Sequence, residues 1–434
     1  VFQQEWDNFA LEAFKLRQEL GQTRQELATA LYQHDAAIRV IARLTRERDE
    51  ARDALSKVSV NGHGAENGDA MQIDQKAALP DEVISRVEET KAGLSKGRKK
   101  RAVPGGWATA EQLQTYKVAQ EEEAIQATPE FLAVDTAGEL ALVGGAEGQA
   151  VIWSIARGEV YQKIEGVQGA TITDGAFAKD KIVMGTSVGD VKVYDTANTT
   201  QTVHEFAANG EAHTANSKVA ALAVHPSGEI VASVGIDGSI IFYDIASLKQ
   251  VAKVNSRNGM CPTYFYGSPS TNTPPEYTAC AFHPDGHLFA VASAGSSSIT
   301  LYHTTTLETA ATYPITPSAP VTSLSFSENG IWFAVGAGST ATVIDIRKEG
   351  APEGIVKAFD VGGEVKGLAW DYTGQFLAVT ASSGTSVQAY AKKEKSWSEP
   401  LASAVRGAAV AWGAEASRLL VVQEDGKLAV LAAQ

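Results

Sequence analysis

VAALAVHPSGEIVASVGIDGSIIFYDI, residues 219–245, holds the pattern that decides the fold. An apolar strand meets a tight turn ending in Gly228, and a second apolar strand with small residues follows. A polar turn at Asp237-Gly238 then leads into a third strand that closes on Tyr243-Asp244. Working outward, the same strand end recurs at Trp153, Tyr194, Tyr302, Ile344, Tyr390 and Val430, which with Tyr243 marks seven units. The turns His225-Pro226-Ser227-Gly228, His283-Pro284-Asp285-Gly286, Ser327-Glu328-Asn329-Gly330 and Asp371-Tyr372-Thr373-Gly374 occupy equivalent places, each closed by a glycine suited to positive φ. Stretches such as 230–234 and 376–380 are apolar on both faces, as strands sandwiched between neighbouring sheets must be. Several short strands repeating every ~40–45 residues predict a seven-bladed β-propeller over 129–434.

The repeat is of the WD40 kind, but loosely so. Tyr194-Asp195, Tyr243-Asp244 and Ile344-Asp345 keep the terminal Asp, whereas Trp153-Ser154, Tyr302-His303, Tyr390-Ala391 and Val430-Leu431 do not. The Gly-His pair that often opens such units is missing throughout, which puts in question the hydrogen-bond network that braces each blade. The interval from Tyr243 to Tyr302 carries a surplus, NSRNGMCPTYFYGSPSTNTPPE at 255–276, whose Pro, Ser, Asn and Gly content predicts a surface loop and a place for binding.

Before the strands, residues 6–58 read as one long helix. Trp6, Phe9, Ala13, Leu16, Leu20, Thr23, Leu27, Ala30, His34, Ala37, Ile41, Leu44, Arg48, Ala51, Leu55 and Val58 alternate three- and four-residue spacings without a slip. Such a seam predicts a coiled coil over 1–58. Leu31 and Ile38 form a second apolar row, so more than two helices are expected to meet, with Leu16, Leu20, Leu27, Leu31, His34, Ile38, Ile41 and Leu44 at the contact. His34 is read as a polar register-setting position, with a pH-sensitive switch as the sharper alternative. No second helix of comparable length exists to cover the seam. Each buried Leu or Ile contributes roughly 1.5–3 kcal/mol, so assembly between copies is the expectation.

Residues 59–128 read as a flexible linker with short helices and a basic run. SVNGHGAENGDAMQIDQ at 59–75 is polar and Gly-rich; a helical period returns at 79–94, where Pro80 and Asp81 suit a helix start. A further charged helical stretch is expected around 111–125, with strands beginning near Phe131. The basic run Arg98, Lys99, Lys100, Arg101 is read either as a nuclear-import signal or RNA contact, or as ordinary solvated charge. Glu121-Glu122-Glu123 reads as a solvated helix face.

Composition narrows the classes. The chain has 434 residues, 44% of them hydrophobic, and a formal charge of −14, which argues against non-specific grip on nucleic acid. Two cysteines, Cys261 and Cys280, argue against a disulfide framework. No apolar run approaches a membrane span. No phosphate-binding loop occurs, no histidine pair shows metal-ligand spacing, and neither cysteine has a CxxC partner, so neither catalytic residue nor cofactor nor metal is expected. The chain begins at Val1 and enters a helical pattern at once, which is read as a fragment lacking its natural N-terminus.

TRQELATALYQHDAAIRVIARLTRERDEAR at 23–52 resembles the coiled coil of the pre-mRNA-processing factor 19 family, spliceosomal U-box ubiquitin ligases. The resemblance continues through GRKKRAVPGGW, EQLQTYKVA, CAFHPDGHLFAVAS at 280–293 and PVTSLSFSENGIWFAVGAGS at 320–339. It implies a U-box, a coiled coil forming a homotetramer, and a C-terminal propeller. It further implies a nuclear scaffold in pre-mRNA splicing and spliceosome activation. Its partners would be helices of other subunits of the spliceosome-associated complex, and a ubiquitin-conjugating enzyme reached only through the U-box. The full-length protein would be an E3 ubiquitin ligase, although this chain carries no catalytic element of one. The alternative weighed against it is a non-ligase coiled-coil and WD40 scaffold of autophagy or trafficking; a propeller hydrolase ranks last.

Overall fold

The computed structural model describes Gly21 and residues 79–98, 105–164, 169–208, 211–255, 276–295, 298–315, 319–348 and 354–434. Among them, strands form seven sheets of four. Blade 1 spans 129–164, blade 2 172–206, blade 3 219–255, blade 4 277–314, blade 5 321–360, blade 6 365–403, and blade 7 combines 409–433 with a strand from 116–123. In blades 1 to 6 the strands are antiparallel neighbours in chain order, the first innermost. The first strands pack against one another around the ring. All seven of the aromatic or aliphatic markers read from the sequence lie in the third strand from the centre of their blade.

Burial follows position. In blade 3, Ile230–Gly235 and Ser239–Asp244 are buried along their whole length, since both faces of a middle strand meet neighbouring blades. The outermost strand Glu159–Ile164 alternates exposed and covered positions, as one wet face requires. Register shifts recur near the start of the innermost strands, for instance between Val219 and Ala221, Tyr277 and Ala279, and Val365 and Gly367. Such bulges add local twist, which suits strands converging on a narrow axis.

The turns between first and second strands form a ring on one face. Gly228, Gly286, Gly330 and Gly374 have φ of 72°, 75°, 67° and 64°, and their N–H groups bond back to His225, His283, Ser327 and Asp371 carbonyls. Gly286 also lies against the neighbouring blade, where an added Cβ would collide with His225 Nε2.

Two readings of the 59–128 segment change. The strand region begins earlier than Phe131, because Tyr116–Glu123 is a strand rather than part of a charged helix. It pairs antiparallel with the last strand, Tyr116 opposite Ala433 and Glu123 opposite Lys427, and so completes blade 7. The chain there is rich in helix formers, but an open sheet edge offers a full ladder of hydrogen bonds that a short helix cannot match. Glu121 accordingly faces Lys427 rather than solvent alone. The helical period at 79–94 is a helix, α1 (Asp81–Arg98), and one turn follows at α2 (Ala110–Leu113). At 79–98 and 105–123 the described part of this segment is packed on the blades rather than free.

No described helix is long and apolar enough to cross a membrane. The predicted coiled coil over 1–58 lies outside the described residues apart from helical Gly21, as does most of the loop at 255–276.

Candidate functional site: the strapped face of the propeller

The segment preceding blade 7 runs across the turn ring and touches one blade after another. Val83 and Val87 fall at i and i+4 on one stripe of α1, and Leu79 joins them from just before the helix starts. They are 2%, 1% and 3% exposed, in a cluster with Ile230, Phe282, Phe289 and Leu307 of blades 3 and 4. Asp81 and Glu82 stand in the first turn and Lys96 and Arg98 in the last, each sign favoured by the helix dipole at that end.

Two arginines pin the helix. Arg86 donates from Nη1 and Nη2 to the two carboxylate oxygens of Asp244 at 3.1 and 2.7 Å, and from Nη1 to Glu229 at 3.1 Å. These bonds, that to Asp244 foremost, raise Arg86 above its ordinary pKa despite desolvation. Burial alone would raise Asp244, yet bonds from Arg86 and Ser247 outweigh it and hold the carboxyl below its usual range. Lys179 and then Arg86 do the same for Glu229. At the far end Arg98 pairs with Asp285 at 2.6 Å, their side chains only 15% and 10% exposed. Beyond it, Trp107 Nε1 donates to Asp371 at 3.0 Å, Ala108 N–H to Glu415 O at 3.1 Å, and Tyr116 OH to Ala416 O at 2.8 Å. Blades 3, 4, 6 and 7 are thus each gripped at or beside their inner turn.

Of the sequence-predicted site residues, Arg98 alone is described, and it is an engaged structural arginine rather than solvated charge. Lys99, Lys100 and Arg101, and the seam residues Leu16, Leu20, Leu27, Leu31, His34, Ile38, Ile41 and Leu44, lie outside the described residues.

The structure does gather potential metal ligands that spacing did not suggest. His283, Asp285 and His287 offer ligand atoms within 4.8 Å of one another. Their bonding is already used in other ways. His283 Nδ1 accepts from Asp285 N–H at 3.0 Å, its Nε2 faces Gly330 O at 3.0 Å, and the Arg98 guanidinium takes the place a cation would hold. The cluster serves as the anchor of α1. Burial holds His287 down to about 4 and lowers His283 as well, so both are neutral at pH 7.

On the opposite face blade 3 carries the bracing network that the missing Gly-His pair had put in question. His213 Nδ1 meets Asp237 Oδ1 at 3.0 Å, its Nε2 meets Ser233 Oγ at 2.7 Å, and Ser233 reaches Tyr243 OH at 3.3 Å. Ser239 donates to Asp237 at 2.6 Å and Thr214 N–H at 2.9 Å. Burial would raise Asp237, but the bonds from His213, Ser239 and Thr214 hold it far below the usual carboxylate range. His213 follows Ala212, not Gly; its distance of 24 residues from Asp237 was the signal available. In blades 1 and 2 the groups at the equivalent strand position, Trp153 Nε1 and Tyr194 OH, stand without a partner.

Between blades 5 and 6, Trp332 packs edge-on against Tyr390 at 4.8 Å and beside Trp397 at 5.7 Å. Exposed Lys392, Lys393, Glu394 and Lys395 lie in the turn that joins the strands of Tyr390 and Trp397.

The family model described as Prp19/Pso4-like matches residues 1–58, and that described as WD domain, G-beta repeat matches 202–244, which includes the His213, Ser233, Asp237 and Tyr243 network of blade 3. Pre-mRNA-processing factor 19 of Mus musculus is 30% identical over 436 residues, covering 92% of this chain and 78% of its own length. Pre-mRNA-processing factor 19 homolog 2 of Arabidopsis thaliana is 29% identical, with 88% of this chain and 72% of its own length covered. That of Schizosaccharomyces pombe is 28% identical, with 92% and 78% covered. A chain in the crystal structure of a mitotic checkpoint complex superposes with a TM-score of 0.59 at 14% identity, over 76% of this chain and 100% of its own, a likeness of fold alone. With its propeller and a match of this identity and extent to relatives of one kind, the chain belongs to the pre-mRNA-processing factor 19 family.

Proposed function

We propose that this protein is an oligomeric scaffold of the nuclear pre-mRNA splicing machinery. The observation that carries the proposal is the coincidence of two features in one stretch: residues 1–58 match the Prp19/Pso4-like family model, and they hold a largely apolar seam whose three- and four-residue spacing runs without a slip. Four copies gathered through that seam, with helices of other complex subunits alongside, would hold several propellers on one stem. Anything bound twice then gains effective concentration without any new contact. The propellers act as platforms, and the Trp332, Tyr390, Trp397 group with the lysines of the adjoining turn is the described surface best suited to an acidic partner segment. Ubiquitin ligase activity belongs, on this reading, to a U-box upstream of the present sequence that recruits a charged conjugating enzyme.

Leu27→Asp together with Ile41→Asp puts charge into the seam. Sedimentation of the double variant should give single copies, and splicing factors should no longer co-purify as one large assembly. An unchanged assembly mass would refute the seam, and a native purification yielding only trafficking or autophagy proteins would refute the splicing role.

A further inference from the structure

Three tryptophans gather where blades 5 and 6 meet, at the strand ends that carry the turn ring. Trp332 opens the second strand of blade 5 (Trp332–Ala337), and Trp370 ends the first strand of blade 6 (Val365–Trp370). Tyr390 and Trp397 face each other across the third and fourth strands of blade 6. Ring centroids lie 4.8 Å apart for Trp332 and Tyr390, 5.1 Å for Tyr390 and Trp397, and 5.7 Å for Trp332 and Trp397. Two other seams are closed by the strap: Leu79, Val83 and Val87 join the core between blades 3 and 4, and Ala108, Leu113 and Tyr116 that between blades 6 and 7. Among the described residues no strap side chain joins the core between blades 5 and 6, and Trp332, Tyr390 and Trp397 are left partly exposed.

The side-chain hydrogen bonding offered by this seam is one-sided. Indole N–H groups donate and cannot accept. Among the described residues, Nε1 of Trp332 and of Trp397 donates to no protein group, and Nε1 of Trp370, a residue 9% exposed, is shut from water without a partner. An ordinary extended segment would bring N–H groups that find no acceptor in these rings. A proline-rich segment brings carbonyls and no N–H, and its polyproline II backbone leaves those carbonyls unused. Its rings pack on aromatic faces, and its stiffness lowers the ordering cost of binding. The turn between Tyr390 and Trp397 selects what flanks the prolines. Lys392, Lys393 and Lys395 are exposed there and form no ion pair with a described residue, against a single Glu394. In a chain of charge −14, that local excess of lysine favours carboxylates on the partner. We propose that the seam of blades 5 and 6 binds a proline-rich segment with acidic flanks, held on Trp332, Tyr390 and Trp397 and steered by the three lysines. The inference rests on the preceding section's reading of this surface as a platform for an acidic partner, and names what that partner presents.

Calorimetric titration of the full chain with synthetic peptides of equal length tests this. One probe is a run of prolines between glutamate pairs; the second replaces the prolines by glycine and serine, and the third replaces the glutamates by lysines. The acidic proline peptide should bind saturably, and about tenfold or more tighter than either of the others. Trp397→Ala should weaken it by about tenfold or more, the scale for a tryptophan anchor. Lys392→Glu/Lys393→Glu/Lys395→Glu, all at exposed positions, should weaken it similarly while the melting temperature stays that of the parent chain. Should Trp397→Ala lower the melting temperature, Trp397→Phe carries the test, since it keeps an aromatic face, loses the donor and should still weaken binding. Equal binding of the acidic glycine-serine peptide overturns the proline proposal and leaves the acidic-partner reading standing. Equal binding of the lysine-flanked peptide overturns the charge selection and that reading with it. No saturable binding of either acidic peptide overturns both, and binding untouched by the tryptophan and lysine substitutions overturns the site.

Discussion

Removing the Asp237 carboxylate should unlatch blade 3. In the structure it accepts from His213 Nδ1 at 3.0 Å, Ser239 Oγ at 2.6 Å, Ser239 N–H at 3.0 Å and Thr214 N–H at 2.9 Å. Thr214 is exposed and regains water after Asp237→Ala, whereas His213 and Ser239 are 0% and 1% exposed. A buried donor left unmade costs about 1–3 kcal/mol. His213 and Ser239 remain 2.9 Å apart and can bond each other, which offsets part of the loss. The net cost is then about 2–4 kcal/mol. Unfolding entropy near 2.1 cal/mol/K per residue over roughly 300 propeller residues converts this to a fall in melting temperature of about 3–6 °C. Calorimetry at pH 7 reads it, with Asp425→Ala as control, since Asp425 is exposed and pairs only at the surface with Lys427. Asp237→Asn keeps an acceptor and should lose about half as much. If Asp237→Ala melts within 1 °C of the control, the network braces nothing and the stability of blade 3 lies elsewhere.

Three other outcomes follow from the same geometry. Gly286→Ala places a Cβ at φ 75° and against His225, and should cost at least ~1–2 kcal/mol in denaturant unfolding, whereas Gly295→Ala, with nothing within 4 Å, should change little. Arg86→Ala leaves the Asp244 carboxyl partly buried without its guanidinium; exchange in α1 should rise about 10–100-fold while amides of blade 6 stay as they were, and uniform change across the propeller would contradict a separable strap. Burial lowers His225 to about 4, so the unfolded chain binds the proton first and stability is complete above about pH 6.5 and declines as pH falls toward 4. The slope from this residue is about 1.4 kcal/mol per pH unit in that window, and His225→Gln should remove it from a melting-temperature series between pH 7 and 4.5.

Much of the propeller was legible because its determinants are local. Gly228, Gly286, Gly330 and Gly374 are demanded by turn geometry within four residues, and the third-strand markers from Trp153 to Val430 sit where a blade buries both faces. The bracing histidine was missed because His213 follows Glu211-Ala212 rather than the expected glycine, and only its distance to Asp237 betrays it. The acidic YKVAQEEE at 116–123 has the composition of a helix. It becomes a strand because the last strand presents an unpaired edge, a fact that appears only once 427–433 is in place.

The strap was the hardest to see, for a physical reason. Periodicity reports which face of a helix is apolar, and with Val83 and Val87 as its buried residues α1 looks like a marginal linker helix. What makes it a structural element is the match of Arg86 to Glu229 and Asp244, partners 143 and 158 residues away in the chain. Charges in a basic or mixed stretch read as solvated unless their counter-ions are known, and those counter-ions lie in places chosen for other reasons: Asp244 ends a strand, and Asp285 stands in the same turn as the glycine that closes it. A turn ring therefore serves twice, closing each blade and supplying carboxylates to whichever arginine-bearing helix crosses it. That double use is why the groove is specific for the charge pattern of α1.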